Sequence, residues 1–124
     1  LGDYATGHLA GMVYHGTSHT NMQETYYGPT GEVVVMDGVF LVCKGRTLFN
    51  INTKKPSYFS GNWDFYDISY TLQAHFKGFK NKVVPIQIFH KSMGDTSNKA
   101  SWHVNRQALI DRLGDKLPVF IKNS

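Results

Sequence analysis

The sequence predicts an α/β fold with a small mixed β-sheet and two main helices, and three segments support this prediction. A run with helical spacing of apolar residues covers 64–78 and stops at Gly78, a residue typical of helix ends. A run rich in β-branched and aromatic residues follows at 82–89, and a second helical run covers 100–113. A chain of 124 residues is long enough for one core, so we expect a single domain over 1–124.

The first third of the chain gives weaker patterns. Residues 1–31 are rich in Gly, Thr, Ser, His and Tyr and lack sustained periodicity, which predicts loop with one short strand near 10–14. Two apolar runs, 32–36 and 39–43, then flank Asp37-Gly38, a dipeptide that favours a type I′ turn. These runs form either a hairpin or one bent strand.

An acidic start precedes the first main helix. Residues 46–51 indicate one helical turn, and 52–62 form a polar loop that leads directly into Asp64. We predict that Asp64 is the N-cap of the helix and that Asp67 lies in its first turn. Carboxylates at these positions accept backbone N–H bonds and complement the helix dipole.

The lengths of the first helix and the strand after it bring two candidate groups together. The helix over 64–78 rises roughly 21 Å at 1.5 Å per residue. The strand over 83–90 covers about 23 Å at 3.3 Å per residue. Because ligands bind outside the carboxyl ends of strands in open α/β sheets, we predict that Asp67 and His90 face one cleft.

Both groups also have a structural interpretation. Asp67 serves either as a general base toward a hydroxyl or as a capping carboxylate whose oxygens are used by backbone amides. His90 is either a structural histidine or a metal ligand, and one imidazole among carboxylates and phosphates is compatible with Mn²⁺. We interpret His8, His15 and His19 as loop histidines, because the residues between them disfavour a helix.

Composition excludes some classes of partner. The chain has 13 Lys and Arg against nine acids, a formal net charge of +4, but its lysines are scattered, so we expect no nucleic-acid partner. No apolar stretch approaches the ~18 residues of a membrane span. The single cysteine, Cys43, precludes an internal disulfide and lies in an apolar run. We therefore expect a buried thiol, no membrane span and a cytoplasmic location.

Four segments in order resemble the C-terminal half of GT-A type glycosyltransferases of the family 2 kind, including the small glycosyltransferase-like proteins. The resemblance covers about 33–112, and the order and spacing of the segments are more specific than any one of them. The segments are Val35-Met-Asp-Gly-Val-Phe-Leu-Val42, Asn62-Trp-Asp-Phe-Tyr-Asp-Ile-Ser69, Leu72-Gln-Ala-His-Phe-Lys-Gly-Phe79 and Val83-Val-Pro-Ile-Gln-Ile-Phe-His-Lys-Ser92.

The resemblance implies transfer of a sugar from a nucleotide-diphosphate sugar to a glycan or other hydroxyl acceptor, with Mn²⁺ or Mg²⁺ as cofactor. It implies that Asp67 is the catalytic base and that His90 coordinates the metal. It also implies four substrate-binding residues: Asp37, Gly38, Trp63 and Asp64.

The chain departs from that family in one respect. No Asp-x-Asp occurs in the sequence, and the nucleotide-binding half of the fold is missing. We therefore expect either a fragment of a longer enzyme or a reduced homologue, without transfer activity as this isolated chain. The sheet edge left by a missing half favours a homo-oligomer, with contacts through 33–43 or the loop before it.

A second function class is also open. Exposed aromatic residues would suit a non-catalytic module that binds carbohydrate or protein, and a metal-dependent hydrolase is a third, more distant interpretation. The candidate stacking residues are Tyr26, Tyr27, Tyr58, Trp63 and Trp102.

Overall fold

A computed structural model describes residues 9–54, 59, 64–92 and 100–121. Within them the chain is mixed α/β, with small sheets and three helices, which confirms the predicted class in its coarse form. The chain divides into two compact units: the sheet unit, Leu1–Val33 with Lys82–Gly94, and the helix unit, Val34–Asn81 with Asp95–Ser124. One domain over 1–124 stays a prediction.

A β-hairpin dominates the sheet unit. Strands β1 (Gly11–Ser18) and β2 (Asn21–Gly28) pair antiparallel around a two-residue turn. Strand β5 (Phe89–His90) pairs parallel with β1, which gives a mixed sheet of order β2-β1-β5. The short strand expected near 10–14 is confirmed as the first half of β1, but the expectation of loop for the remainder of the hairpin is wrong. Because β2 is exposed along most of its length, backbone pairing and not burial defines the hairpin, so apolar residues do not alternate.

Two shorter strands form a second sheet. Strand β3 (Gly31–Val33) pairs with β4 (Asn81–Val83). The strand predicted over 82–89 is therefore present only at its two ends, as β4 and β5. Residues 84–88 leave the ladder, and Pro85 among them lacks the N–H that a ladder needs.

Of the strands predicted over 32–36 and 39–43, only residues 32 and 33 are in a strand, as part of β3, and the rest of the prediction is wrong. Beyond Val33 the chain runs to residue 44 without regular structure, neither as a hairpin nor as a bent strand. Its backbone groups bond side chains of the helix Tyr66–Phe76 and the side chain of Asn81 in β4 instead. Cys43 is exposed, so the expectation of a buried thiol is wrong as well.

The helices agree better with the sequence. Helix α1 is Gly45–Asn50, α2 is Tyr66–Phe76, and α3 is Ala100–Leu113, followed by a 3₁₀ turn at Gly114–Lys116. Gly78 and Gly114 adopt φ values of +84° and +47°, the left-handed conformation that ends helices.

The buried side chains of the helix unit are both apolar and polar. Of the residues the structure describes, Phe59, Leu72, Ala74 and Leu109 are buried and apolar, while Ser69, Thr71, Asn81 and Asn105 are buried and polar. Such polar groups need hydrogen-bond partners to be tolerated inside a fold. No helix in the described parts of the chain has the length and apolarity needed to cross a membrane.

Candidate functional site

The turn at Asp37 and Gly38 contacts the first turn of α2. The Gly38 N–H donates to Asp67 Oδ2 at 2.8 Å, and Tyr66 Oη donates to the Gly38 carbonyl at 3.3 Å. A Cβ added at Gly38 would lie 2.8 Å from Tyr66 Cζ and 3.2 Å from Asp67 Cβ. Glycine is therefore required at this position by close packing, and the turn and the acidic helix start form one structural site.

Side chains also hold the extended residues before this turn. Thr71 Oγ1 accepts the Met36 N–H at 3.3 Å, and Asn81 Nδ2 donates to the Val34 carbonyl at 2.8 Å. Together with the bond at Gly38, these contacts bond the backbone at positions 34, 36 and 38. This spacing of two residues is the period of an extended chain. Residues 67, 71 and 81 thus replace the neighbouring strand that the sequence pattern had predicted.

A different set of α2 side chains holds a second segment. Gln73 Oε1 accepts the Asn52 N–H at 2.8 Å, and Gln73 Nε2 donates to the Asn52 carbonyl at 3.2 Å. Residues three or four positions apart share a helix face, and two such neighbours also bond this segment: Tyr70 donates to the Thr53 carbonyl and Lys77 to the Asn50 carbonyl. Helix α2 therefore fixes both 34–38 and 50–53.

Asp67 combines burial with backbone contacts. Its Oδ1 accepts the Ile68 N–H at 2.8 Å, so each carboxylate oxygen accepts one amide. Burial raises the pKa of Asp67 above its usual value, with a further contribution from the Asp37 charge, while the amides of Ile68 and Gly38 act in the opposite direction. A carboxylate oxygen has two lone pairs, so an acceptor position remains on each oxygen. The group can therefore take a proton from a bound hydroxyl.

Tyr66 belongs to the same electrostatic environment. Burial raises the pKa of Tyr66, and the charges of Asp67 and Asp37 raise it further. Its hydroxyl consequently stays protonated well above neutral pH and acts as a hydrogen-bond donor, here to the Gly38 carbonyl. Asp37 itself is exposed beside this group.

Asp64 does not cap α2, so that prediction is wrong. The helix begins at Tyr66 with Phe65 as N-cap, and Phe65 has a left-handed φ of +63° without a side-chain cap bond. Asp64 Oδ2 instead accepts Asn105 Nδ2 at 3.4 Å, and the rings of Phe65 and Trp102 lie 5.1 Å apart. Contacts with α3 therefore determine the conformation of the residues that precede α2.

Three candidate stacking residues, Tyr26, Tyr27 and Trp102, can be placed and two cannot; Tyr27 is 44% exposed on β2. One face of Trp102 is already in contact with Phe65, whereas Tyr26 is 65% exposed on β2. Trp63, predicted to bind substrate, and Tyr58 lie outside the residues that the structure describes.

His90 lies in the sheet unit, whereas Asp67 belongs to the helix unit. Their approach across one cleft stays a prediction. Within the sheet unit His90 is paired in register with His15, and the two ring centroids are 5.6 Å apart. The interpretation of His15 as a loop histidine is wrong, because β1 extends past it. The short strand predicted near 10–14 ends one residue before His15, and continuing that strand is the signal that would have placed His15 in the sheet.

The described residues do not form a site suited to Mn²⁺ or Mg²⁺. Among them no group of three or more His, Cys, Asp or Glu side chains is close enough to hold an ion. Hard cations require several oxygen ligands, and the neighbour of His90 is a second imidazole and not a carboxylate. The cation implied by the resemblance therefore does not fit this part of the chain.

The structure thus brings Asp37 and Gly38 together with Asp67, and it places Asp64 against α3. No protein-family model, curated protein or solved structure matches the chain. The resemblance to glycosyltransferases accordingly stays a prediction based on the residues alone.

Proposed function

We propose that this protein transfers a glycosyl group from a nucleotide-diphosphate sugar to a hydroxyl acceptor, with Asp67 as the base. The supporting observation is the 2.8 Å bond between the Gly38 amide and Asp67 Oδ2. This bond joins two of the segments on which the sequence resemblance rests, 35–42 and 62–69. Along the chain, 28 positions separate Gly38 from Tyr66, where helix α2 begins. Close contact of these segments is expected if both line one acceptor pocket.

The proposed step needs only a positioned hydroxyl and donor. Asp67 takes the proton of the acceptor hydroxyl through a lone pair that the two backbone amides leave open. The acceptor oxygen bonds the anomeric carbon, and the bond from that carbon to the diphosphate oxygen breaks. The nucleoside diphosphate leaves with the electron pair, and the anomeric configuration inverts. Asp37 and Asp64 are proposed to hold further acceptor hydroxyls.

The raised pKa of Asp67 supports this role, because a more basic carboxylate is a better proton acceptor at neutral pH. The backbone bonds of its two oxygens support it as well, since they restrict the side chain to one orientation. Catalysis benefits when the base is already held in its working position.

A second candidate is a non-catalytic carbohydrate- or protein-interaction module. The observation in its favour is that Asp67 already anchors the turn at Gly38, which is a sufficient structural reason for the carboxylate. Exposed aromatic side chains support it as well, among them Tyr26 and Phe49, which is 91% exposed. We also propose a homo-oligomer and a cytoplasmic location; Phe40 and Val42, in the region proposed for self-association, are 57% and 74% exposed.

The test compares Asp67→Asn with Asp111→Asn in protein expressed from its complete reading frame. Asp111 is exposed on α3 and bonds Gln107, so it is a matched control outside the site. With a panel of nucleotide sugars and simple glycoside acceptors, Asp67→Asn should lower kcat by about 100-fold or more. The donor KM should stay within about twofold, because the amide preserves shape but accepts no proton. Asp111→Asn should match the unmodified protein.

The 124-residue chain by itself should show no transfer. A folded Asp67→Asn protein with full turnover would contradict the role of Asp67. Absence of transfer from every nucleotide sugar, together with glycan binding that Asp67→Asn leaves unchanged, would favour the interaction module.

A further inference from the structure

His15 and His90 lie side by side in the sheet unit. They are paired in register on the parallel strands β1 and β5, and their ring centroids are 5.6 Å apart. Gln23 on β2 is the register partner of His15 on the other side. Because residues paired in register project from the same face of a sheet, the two imidazoles share one face.

Both imidazoles have a buried nitrogen without a partner. Within the described residues, His15 Nδ1 and His90 Nδ1 are shielded from solvent and make no hydrogen bond. Buried polar atoms in folded proteins nearly always have a partner, and each exception needs an explanation. Two such atoms on adjacent strands indicate a shared ligand that bonds nitrogen.

We propose that His15 and His90 bind one borderline transition-metal ion, with Zn²⁺ as the reference, through their Nδ1 atoms. With Zn–N bonds of about 2.0–2.1 Å, two imidazoles on a tetrahedral ion have ring centroids roughly 5 Å apart. The observed centroid distance of 5.6 Å is close to that separation.

The ligand type determines which ions bind. Imidazole suits zinc, copper and nickel, and divalent ions follow the order Mn²⁺ < Ni²⁺ < Cu²⁺ > Zn²⁺ in affinity for such sites. Mg²⁺ requires oxygen ligands and is expected to be excluded. The proposal thus assigns this pair to a different class of ion from the one that the family resemblance implies, and it does not depend on the proposed transfer reaction.

We expect water to complete the coordination, which requires the two rings to move, because both Nδ1 atoms are shielded from solvent. In the parts of the chain that the structure describes, no third His, Cys, Asp or Glu joins the pair. A site with two protein ligands keeps open positions, as catalytic zinc sites do with their water ligand. We therefore expect one exchangeable ion per chain.

Calorimetric titration of tag-free, EDTA-treated chain with ZnCl₂ is the first test, with MgCl₂ as the comparison ion. We expect one saturable Zn²⁺ site per chain and no Mg²⁺ binding. His15→Gln and His90→Gln should each weaken Zn²⁺ binding at least tenfold. Two control variants, His19→Gln in the β1–β2 turn and His103→Gln on α3, are exposed and should bind within twofold of the unmodified chain.

A second measurement keeps the proposal testable if the variants fail to fold. Long-range ¹H–¹⁵N spectra of the unmodified chain report each imidazole nitrogen separately, and saturating Zn²⁺ should shift the Nδ1 signals of two histidines. Absence of a saturable site, shifts confined to Nε2 atoms, or one ion per two chains with dimerisation would each overturn the assignment.

Discussion

Two sets of polar side chains, one in each compact unit, differ in their hydrogen bonding. In the sheet unit, the backbone of β1 pairs with the backbone of β2 on one side and of β5 on the other. The side chains of His15 and His90 are not needed for this pairing, and each has an unbonded Nδ1. In the helix unit, the segment 34–38 is in no β-ladder, and Asp67, Thr71 and Asn81 bond its backbone instead. Polar residues therefore maintain structure in the helix unit, whereas the Nδ1 atoms of His15 and His90 in the sheet unit have no hydrogen-bond partner.

The largest expected effect tests the structural role of polar groups in the helix unit. Asn81 is buried and donates to the Val34 and Thr71 carbonyls, both at 2.8 Å. Asn81→Leu removes both bonds from a buried position and should lower the free energy of unfolding by roughly 2–4 kcal/mol, measured by urea denaturation. Asn50→Ala, which removes an exposed bond to Arg46, is the control, with a loss below about 1 kcal/mol.

A second prediction concerns the close contact of the turn with α2. Gly38→Ala places a methyl group against Tyr66 and Asp67 and should cost roughly 1–3 kcal/mol of unfolding free energy. The control is Gly45→Ala, because no atom lies within 4 Å of the added Cβ and Gly45 begins α1. That change should be neutral or stabilise by up to about 1 kcal/mol. Equal costs for the two variants would contradict the packing argument.

A third, smaller effect follows from the pKa of Asp67. Burial raises this pKa in the folded state, so the folded chain holds the proton more tightly than the unfolded chain. The resulting stability is complete below the ordinary pKa of about 3.9 and is lost as the pH rises through the raised folded pKa. Relative to Asp67→Asn, the unmodified chain should therefore lose stability from about pH 4 upward. Denaturation curves at several pH values are the measurement. If the unmodified chain gained stability relative to Asp67→Asn across that range, the raised pKa of Asp67 would be refuted.

The smallest effect is expected in the sheet unit. There a single substitution can contradict the contrast drawn between the polar side chains of the two units. Because His15 Nδ1 has no partner, His15→Leu in EDTA should change the free energy of unfolding by less than about 0.5 kcal/mol. Thr71→Val, of similar shape, removes the acceptor for the Met36 amide and should cost about 1 kcal/mol. A larger loss for His15→Leu than for Thr71→Val would mean that the imidazole already maintains structure.

Local sequence patterns determined the helices of this protein. The run over 100–113 matches α3, Ala100–Leu113, and glycines end the helical segments near Gly78 and Gly114. Such features depend on propensity, apolar spacing and the left-handed conformation of glycine, all of which operate within a few residues. The residue types also identified Gly38 as a turn residue and Asp67 as either a general base or a capping carboxylate, without linking the two.

Only the tertiary structure decided which groups complete these segments. An apolar run such as 32–36 indicates extended chain, but whether a strand or the side chains of Thr71 and Asn81 bond its backbone depends on what packs beside it. Asp64 does not cap α2 and instead accepts a hydrogen bond from Asn105 of α3. His15 lies beside His90 because β5 pairs with β1. These contacts join residues distant in sequence, and spacing along the chain carries no information about them.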